Sequence, residues 1–449
     1  MKMMMMEVKV LSRKLIQPST PTPHDLRNFR IAFTDEMSPT ANVPLILYYV
    51  NNSSKADDKT RIKQLLETSL AQVLPQFYPL AGRYVEESRL IDCRDQGVHY
   101  AEAQVLNCHL HQLLGPEMKP EQLNDLLPCP LYAADGVTDP LLSIQVSTFE
   151  CGGMAIGVCI SHRIADAATL GTFLCAWADA CSLEEGRENV CPVFNSSHYF
   201  PGRNLPKLEL RIPQTNGQDV PKILTRRFVF DGRAISKIRS KVLMNCENGT
   251  TKHQYTRVQL VSGLFIRALL GLDRAKYGRS RASLITHTVN LRNKTSPPIP
   301  KHSCGNFCTF AVANCAAEQA KSPGLQGTVN LVGDAVRKTA ADCARILNSG
   351  EDGNMVIIDS FKHVTEIICN SGGDLNVIMF TSWCRFPLYE VDFGWGKPIW
   401  ISPASIPAPN SCVMMDTKDG DGIEAWLSLD EKDMYMLQQD HDITTFTAA

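Results

Sequence analysis

The sequence predicts a mixed α/β protein of the α+β kind, built as two domains of similar size. Three observations carry this. The chain has 449 residues, more than the roughly 100–200 that one domain usually takes. Strand-like and helix-like runs are interspersed without strict strand–helix–strand alternation. A stretch rich in Pro, Gly, Asn and Glu, residues 183–222, separates the two halves. The expected layout is 1–190 for an N-terminal domain, 191–222 for a linker and 223–449 for a C-terminal domain.

The elements follow in order. Ile62, Leu65, Leu66, Leu70, Val73 and Leu74 recur at helical spacing over Arg61 to Leu74, and Pro75 ends that helix. A short strand runs from Arg89 to Cys93. Leu142, Ile144, Val146 and Thr148 alternate, as in a strand with one buried face. Gly152-Gly153 makes a turn, and Met154 to Ile160 is nearly all apolar, as in a strand buried on both faces. From Ala165 onward Leu170, Phe173, Leu174 and Trp177 shift the period towards a helix. In the second half the pattern predicts strands over Ile223 to Phe230, Ser283 to Leu291 and Val377 to Trp383. It predicts helices over Arg257 to Leu272 and, more weakly, 327–348. Cys412 to Met415 and Ile423 to Leu429 read as a hairpin, followed by a short helix from about Glu431 with Asp430 as its N-cap.

Composition excludes several function classes. The chain carries 45 basic and 47 acidic residues, a net charge of −2, with no long single-sign run. Neither nucleic acid nor an anionic membrane is therefore expected as a partner. The start, MKMMMMEVKV, lacks the apolar stretch of a signal peptide, no run approaches the length needed to span a bilayer, and the last residues match no common address signal. A cytoplasmic protein is expected. In that setting the 16 scattered cysteines read as small buried hydrophobes, and the five glycosylation sequons as chance matches.

Two segments carry chemistry. His162-Arg163-Ile164-Ala165-Asp166 places a His and an Asp at a strand-to-helix junction, where a rigid framework can hold a side chain in a cleft. A neutral imidazole there can accept a proton at cellular pH. The same five residues also fit a buried, satisfied histidine at a strand end. No third ligand sits at zinc-like spacing, so a metal is not expected. The second segment, Thr381 to Pro398, contains Asp392-Phe393-Gly394-Trp395-Gly396. Its Asp-Phe-Gly has none of the other kinase signatures around it. Two glycines permit a tight turn with the aromatics packed beneath.

Taken together, His162…Asp166 and Asp392 to Gly396 resemble the BAHD family of plant acyl-CoA-dependent acyltransferases. Three further segments agree: Gln17 to Pro23, Tyr78 to Arg83, and Val289-Asn290-Leu291-Arg292 followed by Pro297-Pro298. The Ile164-Ala165-Asp166 context and Thr381 to Pro398 are most similar to the branch of alkaloid O-acetyltransferases that includes vinorine synthase. Ala167 stands where many members have Gly.

The resemblance implies two domains, each like chloramphenicol acetyltransferase, with a crossover loop and an active-site channel at their interface. Part of the chain around 365–390 would return to complete the first domain. His162 would be the general base, removing the acceptor proton and returning it to the departing CoA thiolate. Thr381 and Trp383 match positions that can stabilise the oxyanion, although they fit equally a strand-end Thr and a core Trp. Asp166 would turn away from the histidine and pair with Arg292, so both are assigned to site architecture. Arg292 and Asp392, Phe393, Gly394, Trp395 and Gly396 would be structural. An acyl-CoA, acetyl-CoA foremost, would be co-substrate, with no permanently bound cofactor. The acceptor would be the hydroxyl of a small plant metabolite, an alkaloid ahead of a terpenoid or phenolic alcohol, and the protein a monomer. Two other readings remain open at this point: a condensing domain acting on carrier-bound thioesters, and a non-catalytic relative that binds ligands.

Overall fold

A computed structural model describes residues 6–50, 56–115, 118–131, 136, 138–182, 190–205, 222–244, 254–321, 323–371, 373–406 and 408–447. The chain divides into two compact units. The first comprises Met1–Glu209, Pro300–Phe307 and Phe386–Ala404; the second comprises Leu210–Ile299, Cys308–Arg385 and Ser405–Ala449.

The first unit is built on a six-stranded mixed sheet. Its order is Glu7–Ile16, Val98–Leu106, Leu142–Phe149, Met154–Ser161, Asn42–Tyr49 and Trp400–Ser402. Only the pair Val98–Leu106 with Leu142–Phe149 is parallel among these neighbours. Met154–Ser161 is buried along its whole length, as its unbroken apolar run requires. Leu142–Phe149 is buried on both faces as well, which corrects the expected half-exposed strand. Its alternating Ser143, Gln145 and Ser147 are buried too. Gln145 offsets the cost by donating to the Asp125 carbonyl and the Ser147 hydroxyl at 3.0 and 3.1 Å.

Helices Ala56–Val73 and Ala167–Cys181 pack together on this unit, pinned where the Trp177 indole N–H reaches the Leu66 carbonyl and the Ser69 hydroxyl at 3.2 and 3.1 Å. Part of the expected linker lies among the described residues: Val193 bridges Ser303, and Ser196–Tyr199 is one helical turn. The rest of it, 206–221, lies outside the described residues, as do 183–189.

The second unit has its own six-stranded mixed sheet, ordered Cys308–Cys315, Ser283–Asn290, Asn376–Ser382, Ser411–Asp416, Ile423–Asp430 and Ile223–Phe230. Helices Arg257–Tyr277 and Leu325–Cys343 supply much of its core through Leu260, Leu264, Phe265, Val329 and Val332. The hairpin is antiparallel, and the Asp430 carboxylate caps the following helix by accepting from the Lys432 N–H at 2.9 Å.

Of the segment expected to return in part, about 365–390, residues 386–390 fall in the first unit. Residues up to 370 belong to helix Gly350–Asn370, and Asn376–Ser382 is a central strand of the second sheet. The chain rejoins the first unit briefly at Pro300–Phe307 and again, for longer, at Phe386–Ala404. The physical reason is the strand Trp400–Ser402, which pairs with Asn42–Tyr49 and stacks Trp400 on Tyr48 at 5.1 Å.

Candidate active site

The first unit carries the candidate base. His162 follows the last residue of the buried strand Met154–Ser161, and its backbone N–H donates to the Ala41 carbonyl at 2.9 Å. Arg163 beside it is 1% exposed. Its guanidinium donates to the carbonyls of Glu36 and Ser38 at 3.0 and 3.1 Å and to the Thr40 hydroxyl at 2.9 Å. Asp166 is the N-cap of helix Ala167–Cys181. Its Oδ1 accepts from the Thr169 N–H at 2.8 Å and the Thr169 hydroxyl at 2.9 Å. Its Oδ2 accepts from the Phe307 N–H at 3.1 Å. The spacing His162 to Asp166 is therefore that of a strand end and a helix cap. Asp166 shapes the junction and ties down the returning segment 300–307.

That segment supplies a residue the sequence reading missed. Asn306 is fully buried, and its Oδ1 lies 2.9 Å from Nδ1 of His162. Its Nδ2 donates to the His162 carbonyl at 2.7 Å and to Asp35 Oδ1 at 2.8 Å. Both of those partners only accept, so the amide oxygen is the atom that faces the imidazole. Nδ1 must then carry the proton, and the lone pair falls on Nε2. Gly305 makes the approach possible. Its φ is 136°, and a Cβ there would lie 2.5 Å from the Ser196 Cβ.

The electrostatics favour a neutral ring. Burial lowers the His162 pKa from its ordinary value, opposed by the Asp166 charge and the Asn306 hydrogen bond. The side chain as a whole stays half-buried. Cys175, on the following helix, is a poor nucleophile, because burial pushes its thiol up to about 11.

Asp392 to Gly396 belongs to the same unit. The Asp392 Oδ1 accepts from the N–H groups of Gly394 and Gly396, both at 2.9 Å. Those glycines have φ of 101° and 111°, a region that disfavours other residues. Phe393 is buried against Trp177, with ring centroids 4.9 Å apart, and stacks on Trp395 at 5.5 Å. Asp392→Ala is expected to cost about 1–2 kcal/mol of stability through two lost turn hydrogen bonds, with kcat unchanged within about twofold; urea denaturation and steady-state rates check this.

The remaining expected residues lie in the second unit. Thr381 is on strand Asn376–Ser382, and Trp383 follows it, 8% exposed, its backbone N–H donating to the Met414 carbonyl at 2.8 Å. Arg292 is buried, with its backbone N–H and Nη1 on Asn290 Oδ1 at 3.0 and 3.3 Å. No helix among the described residues is long and apolar enough to cross a membrane.

The model of the Transferase family matches residues 6–444. A pelargonidin 3-O-(6-caffeoylglucoside) 5-O-(6-O-malonylglucoside) 4'''-malonyltransferase of Salvia splendens is 37% identical over 98% of the chain and 100% of its own length. Vinorine synthase of Rauvolfia serpentina is 35% identical over 96% of both chains, and stemmadenine O-acetyltransferase of Catharanthus roseus 34% over 97% of both. The crystal structure of vinorine synthase superposes with a TM-score of 0.80 at 33% identity, covering 98% of each chain. The chain belongs to the Transferase family and, within it, to the BAHD acyl-CoA-dependent acyltransferases of plants, an enzyme related to the branch that includes vinorine synthase.

Proposed function

We propose that this enzyme transfers an acetyl group from acetyl-CoA to a hydroxyl of an alkaloid, with His162 as the general base. The observation that carries the reading is the imidazole held with its proton on Nδ1 by Asn306, leaving Nε2 to accept. In the proposed reaction Nε2 takes the acceptor hydroxyl proton as the oxygen attacks the thioester carbonyl. The tetrahedral intermediate collapses, the C–S bond breaks, and the proton passes from Nε2 to the CoA thiolate. An ester and free CoA result, with no covalent enzyme intermediate. Thr381 and Trp383 are proposed as donors to the oxyanion, on the strength of the motif they belong to. Asp166 and Arg292 are proposed as architecture.

The alkaloid and the acetyl group rest on similarity to vinorine synthase and stemmadenine O-acetyltransferase. A second reading, a malonyl donor with a phenolic glycoside acceptor, is favoured by the 37% identity to the pelargonidin glucoside malonyltransferase. Free CoA thiol release separates the two. Acetyl-CoA and malonyl-CoA are each offered with indole-alkaloid, terpenoid and phenolic alcohols and with phenolic glycosides, and the product is identified by mass. Release with acetyl-CoA that depends on an alkaloid alcohol is the expected outcome. Release confined to malonyl-CoA and phenolic acceptors would replace the first reading by the second.

A further inference from the structure

Asp35 has no place in the reaction as described, yet it is fully buried and wired to the base. It lies in the one-turn helix Phe33–Glu36. Its Oδ1 accepts from both the backbone N–H and the side-chain Nδ2 of Asn306, at 3.0 and 2.8 Å. Its Oδ2 accepts from the Ala32 N–H at 2.8 Å and the Ser196 hydroxyl at 3.4 Å. Burying a carboxylate is costly, and here burial raises its pKa to about 6 against the pull of those hydrogen bonds. It is still ionised at neutral pH. A charge kept at such a cost, two hydrogen bonds from the imidazole, calls for a function.

We propose that Asp35 is the positioning residue that sets the tautomer of His162, by holding the Asn306 amide with its oxygen on Nδ1. A carboxylate is the only side chain of this size that presents an acceptor at both ends. Asn at position 35 has one acceptor oxygen and one N–H₂ group. If its oxygen serves Ala32, the N–H₂ faces two donors of Asn306 and drives that amide round. Asn306 Nδ2 then meets Nδ1 of the ring, the ring proton moves to Nε2, and the base is lost. If its oxygen serves Asn306, the Ala32 N–H and the helix start lose their acceptor, and the anchor of Asn306 shifts with them. In both cases the imidazole loses its single enforced tautomer, and the hydroxyl of Ser196 cannot replace the lost acceptor at both ends.

The inference rests on His162 being the base, so its test reads the ring directly as well as the rate. Long-range ¹H–¹⁵N spectra of histidine-labelled protein, with the His162 signal assigned by its absence from His162→Ala, report which nitrogen is protonated. At pH 7.5 the wild type is expected to show His162 solely as the Nδ1–H tautomer. Asp35→Asn is expected to show a mixed or Nε2–H form. Its kcat should fall at least about tenfold, up to about 10⁴-fold for a complete switch, with KM for acyl-CoA unchanged. Because Asp35 acts only through Asn306, the same substitution in an Asn306→Ala background should cost less than about twofold. Equal losses in both backgrounds, or an unchanged His162 tautomer in Asp35→Asn, would overturn the proposal. A wild-type His162 carrying its proton on Nε2 would overturn it whether or not the variants fold. An active His162→Ala protein would instead remove the base itself, an outcome the tautomer measurement cannot produce.

Discussion

Replacing His162 by Ala is expected to lower kcat/KM by about 10²–10⁴-fold, the range that a positioned general base supplies. The loss should fall on kcat, because the ring acts when the proton moves and contributes little to holding either substrate. Stability should change little, since the half-buried ring makes one side-chain hydrogen bond, to Asn306. His162→Gln keeps the volume and can offer a donor to the Asn306 oxygen, but has no basic nitrogen at the Nε2 position. It should be as inactive as Ala while folding like the wild type. Activity within threefold of wild type in either variant would remove His162 as the base.

Arg163→Met should have the largest effect on stability, about 3–5 kcal/mol. The guanidinium is nearly inaccessible: Nη1 donates to the Glu36 and Ser38 carbonyls, with the Asp35 carbonyl at 3.4 Å a weaker shared acceptor, and Nη2 donates to the Thr40 hydroxyl. It also lies over the Tyr84 ring, 5.6 Å from its centroid. Methionine fills part of the volume but leaves buried carbonyls without a donor, and hydrogen bonds to a charged group contribute about 1.5–3 kcal/mol each before compensation. Lysine would not rescue, because one ammonium cannot serve acceptors spread over the fork of a guanidinium. Urea denaturation measures the loss, and hydrogen exchange should show protection falling first over residues 33–40. Since that segment carries Asp35, activity should fall as well. A change below about 1 kcal/mol would mean the Arg163 network is dispensable.

Legibility in the sequence followed burial and periodicity. Ile223–Phe230, Met154–Ser161 and the hairpin were plain, because apolar runs bounded by turn residues leave few alternatives. Asn42–Tyr49 was missed, and Pro44 inside it is a reason: proline argues against a sheet interior. Glu7–Ile16 was missed because it is an exposed edge strand with no apolar face to betray it. Helix Gly350–Asn370 opens Gly-Glu-Asp-Gly, which reads as a loop. At the site, His162 and Asp166 were legible as a strand end and a helix start. Asn306 and Asp35 were not, since their partnership spans 271 residues of sequence and neither stands in a periodic segment. The one local signal was Gly305-Asn306 between apolar neighbours, a backbone kink inside an otherwise strand-like run.

The pH dependence of kcat/KM tests the central claim, a neutral imidazole acting as base, most directly. Burial holds the His162 pKa below its ordinary value, so the ring should be free to accept a proton throughout the neutral range. The rate should be level from about pH 7 to 8.5 and fall as the pH drops and the ring gains its proton. Protonation of Asp35, whose pKa is raised to about 6, weakens the hold on Asn306 and acts in the same direction. The predicted profile is therefore one acid limb whose midpoint lies below the value of an ordinary imidazole. A rate that keeps rising through pH 8–9, as the thiolate of an ordinary cysteine of pKa about 8.5 would demand, or one with no acid limb anywhere in the range where the protein stays folded, would contradict it.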